Sequence, residues 1–348
     1  MTRRSLTSVD DLLTAGLIEA AKADGLHDVG SRYAVALTPT LVDLIDRKDA
    51  HDPIAAQFVP TENELVHTPD ENADPIGDHV HSPVEGIVHR YPDRVLLKAV
   101  HICPVYCRFC FRREMVGPKG DGMLSTEALE RALDYIRSHA EIWEVILTGG
   151  DPLVLSPRRL ATIMQGLAGI PHVRIVRFHT RVPVVDPGHV DQALVDAIRS
   201  SGKTTYVALH ANHPREMTSD GRSACARLID SGIVMVSQTV LLKGINDDAA
   251  VLAELMRTFV EWRIKPYYLH HPDKAPGTGH FRVSIAQGQA LVSALRGTLS
   301  GLCQPTYVLD IPGGHGKTPV GAETISAQAD GDYLVEDYRG AKHCYTDG

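Results

Sequence analysis

Ser125-Thr-Glu-Ala-Leu-Glu-Arg-Ala-Leu-Asp-Tyr-Ile-Arg-Ser-His139, followed by Glu144-Val-Ile-Leu-Thr148-Gly149-Gly150-Asp151, decides the fold class. In the first part Leu129, Ala132, Leu133 and Ile136 share one face at helical spacing. Ser125 is placed to cap that helix, and Glu127 lies in its opening turn. The second part is a short β-branched run closed by two glycines, which reads as a strand. Working outward, the same unit recurs. Runs at 94–100, 174–180, 205–210, 233–240, 267–271 and 307–311 read as further strands. Helical patterns lie between them, among them 284–296 with Gly297 at its end. About six βα units in a row predict an α/β fold with parallel strands, a partial (β/α)6-type barrel. A doubly wound open sheet has the same rhythm and is the alternative.

Around that core, residues 1–85 read as an N-terminal helical and irregular extension. A helix is expected over 9–23, and a polar connection rich in Pro, Asp and His over 49–83. Residues 86–311 form the barrel and 312–348 a short C-terminal segment. Across 348 residues, 43 acids against 35 Lys and Arg leave a net charge of −8, which argues against a nucleic-acid binder. There is no signal-peptide h-region and no apolar run long enough to span a bilayer. A cytoplasmic protein without nucleic-acid or membrane partners is expected.

Chemistry-bearing residues fall at the predicted strand ends, where barrels collect function. Cys103 follows the first strand, Gly149, Gly150 and Asp151 the second, and Arg181 the third. His210 ends the fourth, Gln238 lies in the fifth, Asp273 follows the sixth and Asp310 nearly ends the seventh. Three of the six cysteines stand in His101-Ile-Cys103-Pro-Val-Tyr-Cys107-Arg-Phe-Cys110. Such crowding points to metal or cluster ligation. Three thiolates spaced C-x3-C-x2-C can hold three irons of a cubane and leave the fourth open. A zinc site would need a fourth ligand, for which His101 is the nearby candidate.

The cysteine spacing, with an aromatic before the last cysteine, resembles the signature of the radical S-adenosylmethionine (SAM) superfamily. The resemblance implies a partial TIM barrel of that kind, a [4Fe-4S] cluster and SAM at its open iron. Leu147-Thr-Gly-Gly-Asp151-Pro resembles the stretch that receives the cofactor's amine. Gly-Gly-Asp is also a common turn.

Near the C-terminus, Asp310-Ile-Pro-Gly-Gly-His-Gly-Lys317-Thr-Pro lacks the glycine spacing of a Walker A loop, which puts Ile311 where glycine is required. Glycines on both sides let the backbone approach a planar ring, so a Schiff-base lysine for pyridoxal 5′-phosphate (PLP) is the sharper reading, beside an ordinary solvated turn lysine. Together with the cysteines it resembles the lysine 2,3-aminomutase family from about residue 81 to 319. That resemblance implies an isomerase in which Lys317 holds PLP and Arg112 grips the substrate carboxylate. Asp273 and Asp310 bind the distal ammonium of lysine, and Arg90, Tyr91, Arg94 and Gln238 surround PLP. His210 and Arg181 fall near SAM, or serve as a core histidine and an internal ion pair. Asp273 can equally be a loop charge and Asp310 a salt-bridge partner. An arginine for a carboxylate and paired acids for an ammonium suit a dibasic amino acid. The implied reaction moves the α-amino group of L-lysine to C3 through a 5′-deoxyadenosyl radical. A flavodoxin- or ferredoxin-type electron donor is expected, and a homo-oligomer is left open.

Two features separate the chain from the well-known lysine enzymes. It ends about thirty residues past Lys317, and only Cys344 stands where they carry zinc-binding cysteines, with Asp248 at their partner's position; no zinc is expected. The compact length, Cys-Phe-Arg-Arg and Tyr-Tyr-Leu-His270 also resemble the branch serving elongation factor P β-lysylation. Another basic amino acid is a further alternative, as is a non-catalytic iron–sulfur or zinc regulatory or electron-transfer protein.

Overall fold

Residues 4–117, 122–328 and 331–347 are described by the structure, a computed structural model. Four short helices come first: α1 (Val9–Thr14), α2 (Ala23–Arg32), α3 (Pro39–Leu44) and α4 (Pro53–Phe58). The single helix expected over 9–23 is broken. Gly16 sits at φ +67°, a left-handed conformation that ends a helix, and α2 begins only at Ala23.

β1 (Ile87–Tyr91) and β2 (Arg94–Val100) form an antiparallel hairpin. β2 then opens a run of parallel strands: β3 (Glu144–Gly149), β4 (Ile175–Thr180), β5 (Thr204–His210), β6 (Val234–Val240), β7 (Lys265–His270) and β8 (Thr306–Ile311). The crossovers carry α5 (Thr126–Ser138), α6 (Pro157–Ala168), α7 (Val182–Val185) with α8 (Gln192–Arg199), α9 (Ser219–Asp230), α10 (Ala249–Glu261) and α11 (Ile285–Leu295). Ser125 caps α5, its Oγ accepting from the Ala128 N–H at 3.0 Å, and the expected apolar face of α5 is buried.

Strand order follows chain order without reversal. A doubly wound sheet reverses at a switch point, so the partial barrel is the fold. β9 (Gly316–Pro319) returns antiparallel on β8 and extends the same sheet. Beyond it, β10 (Ile325–Ala327), β11 (Asp332–Glu336) and β12 (Lys342–Thr346) make a separate antiparallel sheet. Among the described residues no helix is long and apolar enough to cross a membrane.

The segment between α4 and β1 is anchored by buried charge. Glu64, wholly out of solvent, accepts from Arg108 Nε at 3.0 Å and Nη2 at 2.6 Å, and also from Arg113. Replacing it leaves two buried guanidiniums without a counter-charge. Glu64→Gln should lower stability by about 3–5 kcal/mol, read from urea denaturation followed by circular dichroism.

Candidate active site

At the C-terminal ends of the barrel strands lies one cavity, and every residue anticipated for cluster, cofactors and substrate lines it, though His101 does not. Counted out to its open mouth, the empty space is about 1680 Å³.

One wall is the loop after β2, with Cys103, Cys107 and Cys110. Burial pushes all three thiols up, Cys110 to about 11. Arg181, following β4, donates from Nη1 to Cys107 Sγ at 3.1 Å and is itself paired with Glu216. It is thus both a cavity residue and an internal ion pair. The end of β3 packs directly on this loop. A Cβ at Gly149 would stand 2.5 Å from the Val100 carbonyl oxygen, and one at Gly150 2.3 Å from that of Ile102. Only glycine fits so close to backbone. The Asp151 carboxylate accepts from Thr180 Oγ1 (2.7 Å) and from the N–H groups of Arg181 (2.8 Å) and Leu153 (3.0 Å). It therefore ties β3 to β4, and burial raises its pKa. His210 sits edge-on to Phe109, 5.8 Å between ring centres, with Gln238 beside it on β6.

The opposite wall is the β8–β9 hairpin. Asp310 and Lys317 are direct cross-strand partners, and Lys317 Nζ donates to Asp310 Oδ1 at 2.6 Å. The Lys317 N–H donates to the Tyr91 hydroxyl at 2.8 Å, and the Arg94 guanidinium stacks 3.9 Å over the Tyr91 ring. Burial pushes the Asp310 carboxyl up, but the neighbouring His270 and the Lys317 ammonium overcome it and hold Asp310 well below the usual range. Asp273 goes the other way. Burial and the Asp310 charge push it to about 7, against the pull of Lys317, Arg112 and Arg90. Arg112, two residues after the last cysteine, reaches Asp78 rather than an open position.

Sequence reasoning missed several residues of this cavity. Arg177 and His179 line it together with Arg181, and their period-two spacing at the end of β4 was a usable signal. Burial keeps His179 neutral, and its Nε2 has no hydrogen-bond partner. His270 on β7 faces Asp310 at 3.7 Å. Asp78, which does not line the cavity but holds Arg90 and Arg112 that do, carried no signal of its own.

Residues 97–256 match the family model of the Radical SAM superfamily. L-lysine 2,3-aminomutase from Clostridium subterminale is 36% identical over 345 residues, covering 99% of this chain and 82% of its own. The chain belongs to the lysine 2,3-aminomutase family. L-lysine 2,3-aminomutase from Fusobacterium nucleatum is likewise 36% identical, covering 99% of this chain and 81% of its own. Glutamate 2,3-aminomutase from Clostridioides difficile is 36% identical over 90% of this chain and 74% of its own.

Membership brings a [4Fe-4S] cluster, SAM and PLP, and the residues present fit them. Three half-buried thiols on one loop border open space, and a thiolate held there is stabilised by metal. Among the described residues no three Cys, His, Asp or Glu side chains meet closely enough to hold a single ion. A cubane does not ask for that, because each of its cysteines holds a different iron. Across the cavity an amine, two arginines and a tyrosine ring are gathered as an aldehyde-bearing phosphate ester requires.

The sign of one pH effect follows. Below about pH 7 Asp273 is protonated and a cation in the cavity meets one charge fewer. Lysine should bind more weakly at pH 6 than at pH 8, and Asp273→Asn should remove most of that difference in equilibrium titrations.

Proposed function

We propose that this protein is a cytoplasmic isomerase that converts free L-lysine into β-lysine by moving the α-amino group to C3. The observation that carries the proposal is the pair of carboxylates, Asp273 and Asp310, sharing one cavity with Lys317 and the three cysteines. Two acids attract the distal ammonium of lysine and repel the distal carboxylate of glutamate. That comparison favours lysine over the substrate of the glutamate relative.

When bound, the cluster and SAM supply a 5′-deoxyadenosyl radical that removes and returns hydrogen, and PLP supplies the aldehyde and ring that carry the nitrogen. The chain's own residues supply placement. Cys103, Cys107 and Cys110 hold the cluster, and Gly149, Gly150 and Asp151 shape the SAM side, with Arg181 and His210 alongside. Arg90, Tyr91, Arg94 and Gln238 frame PLP, and Arg112 takes the α-carboxylate.

Asp310 has two successive partners in this scheme. In the free protein it holds the Lys317 ammonium; with Lys317 committed to PLP, Oδ1 would be open to the substrate's distal ammonium. Asp273 completes that grip: the arriving cation lowers its pKa, and its proton passes to solvent. The rest of the cavity wall keeps water away from reactive species. A low-potential donor of the flavodoxin or ferredoxin kind supplies the electron.

The decisive assay reconstitutes the protein anaerobically with iron, sulfide and PLP, then adds reductant, SAM and L-lysine and separates the derivatised amino acids. β-Lysine that depends on each component is the expected outcome; untouched lysine with β-glutamate formed from glutamate refutes the substrate. Two variants divide the machinery. Lys317→Ala should lose the PLP absorbance while keeping its iron, and Cys107→Ala should lose SAM cleavage while keeping the PLP absorbance.

A further inference from the structure

Asp78 lies in the polar connection ahead of the barrel, wholly buried. Its Oδ2 accepts from Arg112 Nε at 3.2 Å and Nη2 at 3.0 Å, and its Oδ1 from Arg90 Nη2 at 3.2 Å. Arg90 Nη2 donates in addition to the Ile76 carbonyl at 2.6 Å. Arg90, Arg112 and Ile76 line the cavity, whereas Asp78 does not.

The segment that carries Asp78 is pinned on its other side. The Asp78 N–H donates to Asp74 Oδ1 at 2.8 Å. Gly77, at φ +67°, lies so close to the loop before Lys317 that a Cβ would stand 2.5 Å from the Gly314 nitrogen. His81 Nε2 is hydrogen-bonded to the Gly314 carbonyl at 2.9 Å. One short segment therefore touches the loop that carries the lysine and both arginines.

Charge completes the picture. Lys98, only 8% exposed, feels Asp78 as a stabilising charge and Arg112 as an opposing one. Asp78 thus faces three cations, Asp310 stands 4.0 Å from Arg90 and Asp74 acts on Lys98 from farther off, and Arg90 Nε is buried without a partner.

We infer that Asp78 is the positioning residue that sets Arg112 for the α-carboxylate of the amino-acid substrate and holds Arg90 in register with it. The inference rests on the role proposed for Arg112. Without the Asp78 carboxylate, Arg112 loses a two-point anchor and swings within a group of like charges, so recognition of the carboxylate suffers while the distal ammonium is still held by Asp273 and Asp310.

The test compares L-lysine with L-lysinamide, which lacks the carboxylate, on enzyme reconstituted with cluster and PLP. Binding is followed by the change in PLP absorbance. Wild-type protein should prefer lysine, and Asp78→Asn should cut that preference by about tenfold or more by weakening lysine and leaving lysinamide nearly unchanged. A preference kept at the wild-type value, or an equal loss for both ligands, overturns the role of Asp78 alone. A wild-type protein that does not prefer lysine overturns the role of Arg112 and this inference with it. If Asp78→Asn does not fold, Asp78→Glu keeps the charge but displaces it. The same fall in preference is then expected, and an unchanged preference refutes the inference.

Discussion

A guanidinium taken out of water needs a carboxylate, and the mouth of this barrel buries several. Arg108 and Arg113 end on Glu64, Arg112 on Asp78 and Arg181 on Glu216. Three of these arginines flank or closely follow the last two cysteines, so their pairing fixes the course of the loop. The acids that satisfy them come from the stretch between α4 and β1. Chain that looks like a mere connection is therefore the outer wall of the site, and the cysteine loop has its shape only while that wall is in place.

The two carboxylates on the far side show how environment divides identical groups. Asp310 has a cation at hydrogen-bond distance and stays ionised; Asp273 has burial and a like charge, and sits near neutrality. The cavity thereby avoids a second, unpaired anion beside Asp310 while no cationic ligand is bound. It gains the second negative charge when a cation arrives to stabilise it. Selectivity for a dibasic molecule then resides in charge that the ligand itself draws out.

The barrel was legible because each strand and helix carries its own period. Leu129, Ala132, Leu133 and Ile136 mark α5 by spacing alone, and Ser125 caps it as its residue type suggests. The apolar spacing from Leu12 to Ala21 misled for an equally local reason: Gly16 stops the helix, and spacing does not register a change of backbone hand. β9 was hidden in a run of glycines that reads as loop, since its pairing comes from β8. The residues that line the cavity were legible where a chemical type recurs at a strand end, as with Cys103, Asp310 and Arg181. Asp78 and Glu64 were not, because each is defined by arginines 12 to 49 residues away and nothing in the local sequence distinguishes them from surface acids.

Lys317 faces Asp310 because the two are paired across an antiparallel hairpin whose turn spans 312–315. Side chains on adjacent strand positions point to opposite faces. Inserting or deleting one residue in that turn would send the amine out of the cavity without altering a single group inside it. The spacing of a glycine-rich bend is thus as much a part of the chemical apparatus as the lysine.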